Sequence, residues 1–89
     1  MFVKCFITIF IHAEDGAKGL EQKQKMAIEL LTKKGYTTEA TKIAKGGRRV
    51  TIYTTIKSEE AETPQQAIDK VCQTISQAIG RKVVGRPLK

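Results

Sequence analysis

The stretch Phe2-Val3-Lys4-Cys5-Phe6-Ile7-Thr8-Ile9-Phe10-Ile11-His12 decides the fold. It is rich in β-branched and aromatic residues and too short for a lone membrane helix, so it reads as a strand buried on at least one face. Alternation divides it in two. Val3, Cys5, Ile7, Ile9 and Ile11 point one way and are wholly aliphatic apart from the thiol, so they face the main core. Phe2, Lys4, Phe6, Thr8, Phe10 and His12 point the other way and mix aromatics with polar groups, which suits a less dry face.

A second strand of the same kind lies further along, at Arg49–Lys57. Val50, Ile52, Thr54 and Ile56 form its core set, and Arg49, Thr51, Tyr53, Thr55 and Lys57 face away. The turn Lys45-Gly46-Gly47-Arg48 precedes it, with two glycines to supply the positive φ of a tight hairpin. Tyr36–Lys45 is mostly threonine, lysine and alanine. That polarity predicts an edge strand, where lysine discourages stray pairing.

Two helices are predicted between these strands. Leu20–Lys34 carries Leu20, Ala27, Ile28, Leu30 and Leu31 on one face, with the pairs Glu21/Lys25 and Glu29/Lys33 in favourable i,i+4 order on the other. Gly35 is its C-terminal cap. His12–Gly19, with two glycines, reads as the loop before it. The second helix starts at Thr63-Pro64-Gln65-Gln66, where Thr63 is the N-cap, Pro64 the first helical residue and Gln66 the far side of a capping box. Ile68, Val71, Cys72, Ile75 and Ile79 then repeat at helical spacing up to Gly80. Residues 81–89 hold a short last strand around Val83–Val84, ended by Pro87.

The order β-α-β-β-α-β resembles the ferredoxin-like, split βαβ arrangement. The resemblance implies an α+β domain with a four-stranded antiparallel sheet of order 4-1-3-2 and both helices on one face. The two most apolar strands then fall at the centre and the polar second strand at an edge. All 89 residues form one domain on this reading.

Composition limits the function. Lysine and arginine number 16, aspartate and glutamate 9, for a net charge of +7; hydrophobic residues make up 40% of the chain. This excludes a collagen, a coiled-coil rod, a disordered tail and a multi-domain enzyme. Two cysteines without a Cys/His spacing make neither a disulfide framework nor a zinc site, and both are expected to be buried and reduced. Met1–Ile11 has neither the basic start and cleavage site of a secretory signal nor the length of a span, so a cytoplasmic protein without a membrane segment is expected.

The topology gathers charge. The loop His12–Gly19, the turn Lys45–Arg49 and the junction Gly80–Lys82 meet at one end, bringing Lys18, Lys45, Arg48, Arg49, Arg81 and Lys82 together against Glu14 and Asp15. Glu59, Glu60 and Glu62 mark the other end, partly offset by Lys33, Lys34 and Lys89. Arginines beside exposed glycine amides suit phosphate oxygens, so the leading expectation is a nucleic-acid-binding protein using the six cations of that end.

Phe6, Phe10 and Tyr53 lie on the open sheet face, bordered by Arg49 and Lys57. They are read first as an interface with a second copy or another protein, and second as a base-stacking surface. Aromatics flanked by cations on an open sheet resemble the surface of RNA-recognition domains. Arg48–Tyr53 departs from those domains in lacking their glycine and paired-aromatic pattern. The alternative function is a protein-interaction or regulatory module, including a partner-directed inhibitor, acting through this face or the edge Tyr36–Lys45. A weaker third reading is a small-ligand sensor that binds an anion at the loop His12–Gly19, whose Gly16-Ala17-Lys18-Gly19 precedes a helix at the place where acylphosphatase-like proteins bind phosphate, although their arginine-bearing loop is absent here. His12 beside Glu14 and Asp15 has no second base or nucleophile placed by spacing, so neither catalysis nor a metal or cofactor is expected.

Overall fold

The computed structural model describes residues 1–88; Lys89, assigned above to the acidic end, lies outside them. Strand β1 (Phe2–Phe10) is followed by a single 3₁₀ turn (Ala13–Asp15) and helix α1 (Gly16–Lys33). Then come β2 (Thr38–Ile43), β3 (Arg49–Lys57), α2 (Pro64–Ile79) and β4 (Val83–Pro87). The molecule is an α+β domain with a four-stranded antiparallel sheet of order β2-β3-β1-β4, which from the opposite edge reads 4-1-3-2.

The alternating pattern sets the layers. Val3, Cys5, Ile7 and Ile9 of β1, with Ile11 just beyond it, join Val50, Ile52 and Ile56 of β3, Leu20, Ala27 and Leu31 of α1, and Ile68, Val71, Cys72, Ile75 and Ile79 of α2 in one buried cluster. Both helices therefore cover the same sheet face. Thr54 is the polar residue that β3 adds to this layer, and its hydroxyl donates to the Thr37 carbonyl at 2.9 Å, so it is buried with its hydrogen bond made. Both cysteines are buried and unpaired; burial pushes the Cys5 thiol up to about 11 and the Cys72 thiol up to about 12.

Helix ends follow the sequence signals closely in α2. The Thr63 hydroxyl accepts from the Gln66 N–H at 3.2 Å, and Gln66 Oε1 accepts from the Thr63 N–H at 3.0 Å. At the C-terminus of α1, the Gly35 N–H donates to Thr32 O and the Tyr36 N–H to Leu31 O, both at 2.9 Å, closing a Schellman motif. This explains why β2 starts at Thr38 and not at Tyr36: the Tyr36 amide completes the helix and its ring packs on the core.

Three further expectations are corrected. α1 begins at Gly16, four residues before Leu20, because the two glycines do not break the chain there. A Cβ on Gly19 would sit 2.8 Å from Asp15 Cβ, so Gly19 is the gap that lets the first helical turn close over Asp15. Neither Glu21/Lys25 nor Glu29/Lys33 is among the ion pairs of the described residues; the α1 lysine that forms one is Lys23, with Asp15. Pro87 belongs to β4 and does not end it. The amides of Lys82's neighbour Phe10 and of Leu88 bond across to Lys82 O and Lys4 O, so even-numbered positions of β4 face β1. The missing N–H of Pro87 therefore lies on the outer edge, where no ladder bond is lost.

Candidate nucleic-acid interface

The strand registers define the open sheet face row by row. Ala40, Tyr53, Phe6 and Arg86 form its middle row across β2, β3, β1 and β4. Lys42, Thr51, Thr8 and Val84 form the row above, and Thr55 and Lys4 pair in the row below. Arg49 pairs with Phe10 at the upper margin, where the Phe10 amide donates to Lys82 O at 3.0 Å. Lys57 pairs with Phe2 at the lower margin. Six exposed cations thus ring the face: Lys4, Lys42, Arg49, Lys57, Lys82 and Arg86. One acid, Glu39, shares it, and its Oε1 accepts from the Thr55 hydroxyl at 2.8 Å.

Phe6, Phe10 and Tyr53 sit half-buried on this face. The Phe6 and Tyr53 rings are neighbours, with centroids 6.2 Å apart and planes tilted by 45°. The Thr8 and Thr51 hydroxyls above them lie 3.2 Å apart, so the row over the rings is short side chains. Phe10 has a different setting: Lys82 Nζ stands 5.7 Å from its ring centroid, a cation–π contact that steadies the ammonium.

At the upper end the three expected segments do meet. The Ile11 amide donates to Arg48 O at 2.8 Å, joining the exit of β1 to the β2–β3 turn. Between that turn and the start of α1 lies a cleft of about 540 Å³, lined by Ile11, Leu20, Ile43, Gly47 and Arg48 among others. Lys45 and Arg48 are exposed on the turn, and Lys82 is exposed beside Phe10. Lys18 is exposed too, but on α1, sharing a shallow depression with Glu21, Gln22 and Lys25 on the helix layer.

Arg81 occupies a different position from the other five cations of that end. Its Nε donates to Asp15 Oδ2 at 2.9 Å, its Nη2 to Asp15 Oδ1, and its Nη1 to Gly80 O at 2.9 Å. Lys23 Nζ lies 3.6 Å from the same carboxylate, whose side chain is only 6% exposed. The Arg81 hydrogen bonds hold the Asp15 carboxyl well below the usual carboxylate range. The guanidinium is spent on joining residues 66 apart in sequence, and so acts as a clasp for the end of the fold. The Asp15 carboxylate also accepts from the His12 N–H at 2.9 Å, and Glu14 Oε1 lies 3.3 Å from His12 Nδ1.

Sequence reading missed Lys4, Lys42 and Arg86 as members of the site. The period-2 pattern places Lys4 on this face. Lys42 and Arg86 need the register of two edge strands, one of which is bulged between Thr38 and Ala40. Among the described residues, no helix is long and apolar enough to cross a membrane. No protein-family model, curated protein or solved structure matches the chain.

Proposed function

We propose that this chain is a ferredoxin-like binding domain that holds nucleic acid on the open face of its sheet, with the basic end at Lys45, Arg48 and Lys82 extending the same surface. The reading rests on one observation above all. Cations from all four strands, or from their margins, converge on a face that holds one of the chain's nine acids. The other eight (Glu14, Asp15, Glu21, Glu29, Glu59, Glu60, Glu62 and Asp69) lie on helices, turns and loops. A surface sorted this way attracts a polyanion and releases the counterions condensed on it.

Arg81 serves the fold on this reading, and Lys18 lies aside on the helix layer. The salt dependence is the test. Six cations each neutralising one phosphate give a slope of log affinity against log salt of about −4 on single strands and about −5 on duplex. Filter binding across a salt series measures it, and absence of binding to any DNA or RNA at about 50 mM salt refutes the reading, because the electrostatic attraction is strong there.

A second reading is supported by the outer edge of β2. Glu39–Ile43 is exposed throughout, and Ile43 is 54% exposed. An extended segment of another protein could add there as a fifth strand. Lysine 42 blunts that edge, which weighs against the reading.

A further inference from the structure

We propose that the nucleic acid held on this face is single-stranded, with unpaired bases stacking on the Phe6–Tyr53 pair. The inference rests on the nucleic-acid reading and deepens it. The two rings occupy the middle of the face, in a row flanked by Ala40 on one side and Arg86 on the other. Both rings keep part of their surface exposed, with the small side chain of Ala40 beside Tyr53 on β2 and the short side chains of Thr8 and Thr51 in the row above. Cations stand around them on every side: Lys42, Arg49 and Lys82 above, Lys4 and Lys57 below, Arg86 beside.

Aromatic rings at the centre of a basic face gain nothing from a duplex. Its bases are stacked on one another and hide their π-faces, so only phosphates reach the protein. A single strand offers both groups at once, phosphates to the cations and base faces to the rings. The three aromatics divide their roles. Phe10 carries Lys82 over its ring, which holds that ammonium for a phosphate, while Phe6 and Tyr53 have no cation over them among the described contacts. A protein partner would have to be acidic to meet this face, and a second copy of the chain would bring the same cations against it.

Fluorescence anisotropy with labelled DNA and RNA strands of about 12 nucleotides, within the range covered by small sheet-based domains, and with the matching duplexes, is the experiment. The single strands are expected to bind more tightly than the duplexes. Phe6→Leu and Tyr53→Leu should each weaken single-strand binding by about five- to a hundred-fold while leaving the salt slope unchanged, and Tyr53→Phe should retain it. In the unmutated protein, quenching of tyrosine emission by the single strand is expected, and its loss in Tyr53→Phe assigns it; this keeps the test valid if a leucine variant misfolds. Duplex binding as tightly as single strand overturns the inference but leaves the nucleic-acid reading standing. So does unchanged affinity in folded aromatic variants while Lys42→Gln and Arg86→Gln weaken binding. Polyglutamate binding as tightly as the single strand overturns it as well, since no ring is then engaged. Failure of every nucleic acid to bind at low salt refutes both.

Discussion

Gly85 offers the sharpest test of how β4 is held against the rest of the domain. Its backbone is extended, not left-handed, so alanine is allowed there by φ and ψ. Space forbids it. A Cβ at this position would lie 2.6 Å from Ile68 Cγ2, 2.9 Å from Cys72 Sγ and 3.2 Å from the Phe6 carbonyl oxygen. Ordinary contacts between carbons are 3.5–4.0 Å, so the first overlap is about 1 Å. Ile68 and Cys72 are buried on α2, and the Phe6 carbonyl belongs to a central strand. Relief requires either α2 to lift or β4 to slide outward. Overpacking of this kind costs about 1–3 kcal/mol, and the lost backbone freedom of the unfolded chain returns about 0.4–1 kcal/mol. Gly85→Ala should therefore destabilise the domain by about 1–2 kcal/mol, lowering a urea midpoint by roughly 1 M. Val84→Thr, at an exposed site of the same strand, should change it by less than about 0.5 kcal/mol. An unchanged or raised midpoint for Gly85→Ala refutes the seating of β4 under α2. It would also remove the argument that Arg86, the next residue, is fixed beside Phe6.

The clasp predicts an acid-sensitive fold. The Arg81 hydrogen bonds depress the Asp15 carboxyl, so their stabilisation is full above the unfolded value near 3.8 and is lost as pH falls through the lower folded value. Asp15→Asn should lower thermal stability at pH 7 and flatten the decline below pH 4 in melting curves. Burial raises both thiols, so the folded chain holds protons that the unfolded chain releases above about 9; stability should fall as pH rises from 9 toward 11. Thiol titration with a chromogenic disulfide at pH 8 should be slow in the native state and fast in urea.

How much of this was legible in the sequence depends on the range of each interaction. The Thr63–Gln66 capping box, the Gly35 cap and the alternation of β1 and β3 are local, and their spacing names them. Gly16 and Gly19 misled because the same residue serves a turn by its φ and a close contact by its missing side chain. Only Asp15, pressed against Gly19, distinguishes the two uses. Arg81 looked like one cation in a cluster because its partner is 66 residues away. The basic face was visible through Arg49 and Lys57 on a central strand. Lys42 and Arg86 joined it only once the edge registers were known, and neither β2 with its bulge nor the short β4 carries an apolar alternation that fixes its register.

The sorting of charge also decides what the open face can pair with. Reading the aromatics alone suggests a face-to-face dimer, since apolar surface seeks cover. Yet Phe6, Phe10 and Tyr53 are already half-buried by their neighbours, and the cations around them are exposed. A second copy laid on this face would set Lys4, Lys42, Arg49, Lys57, Lys82 and Arg86 of each chain against the other's, with only Glu39 from each to offset them. Like charges desolvated across an interface cost several kcal/mol, which opposes the gain from covering three rings that are already partly buried. The chain should therefore not pair through this face at low salt, where repulsion is least screened. Light scattering on a sizing column at low and high salt measures this. A salt-independent dimer that Tyr53→Lys dissociates would refute the charge argument, and would cover the surface on which the nucleic-acid reading depends.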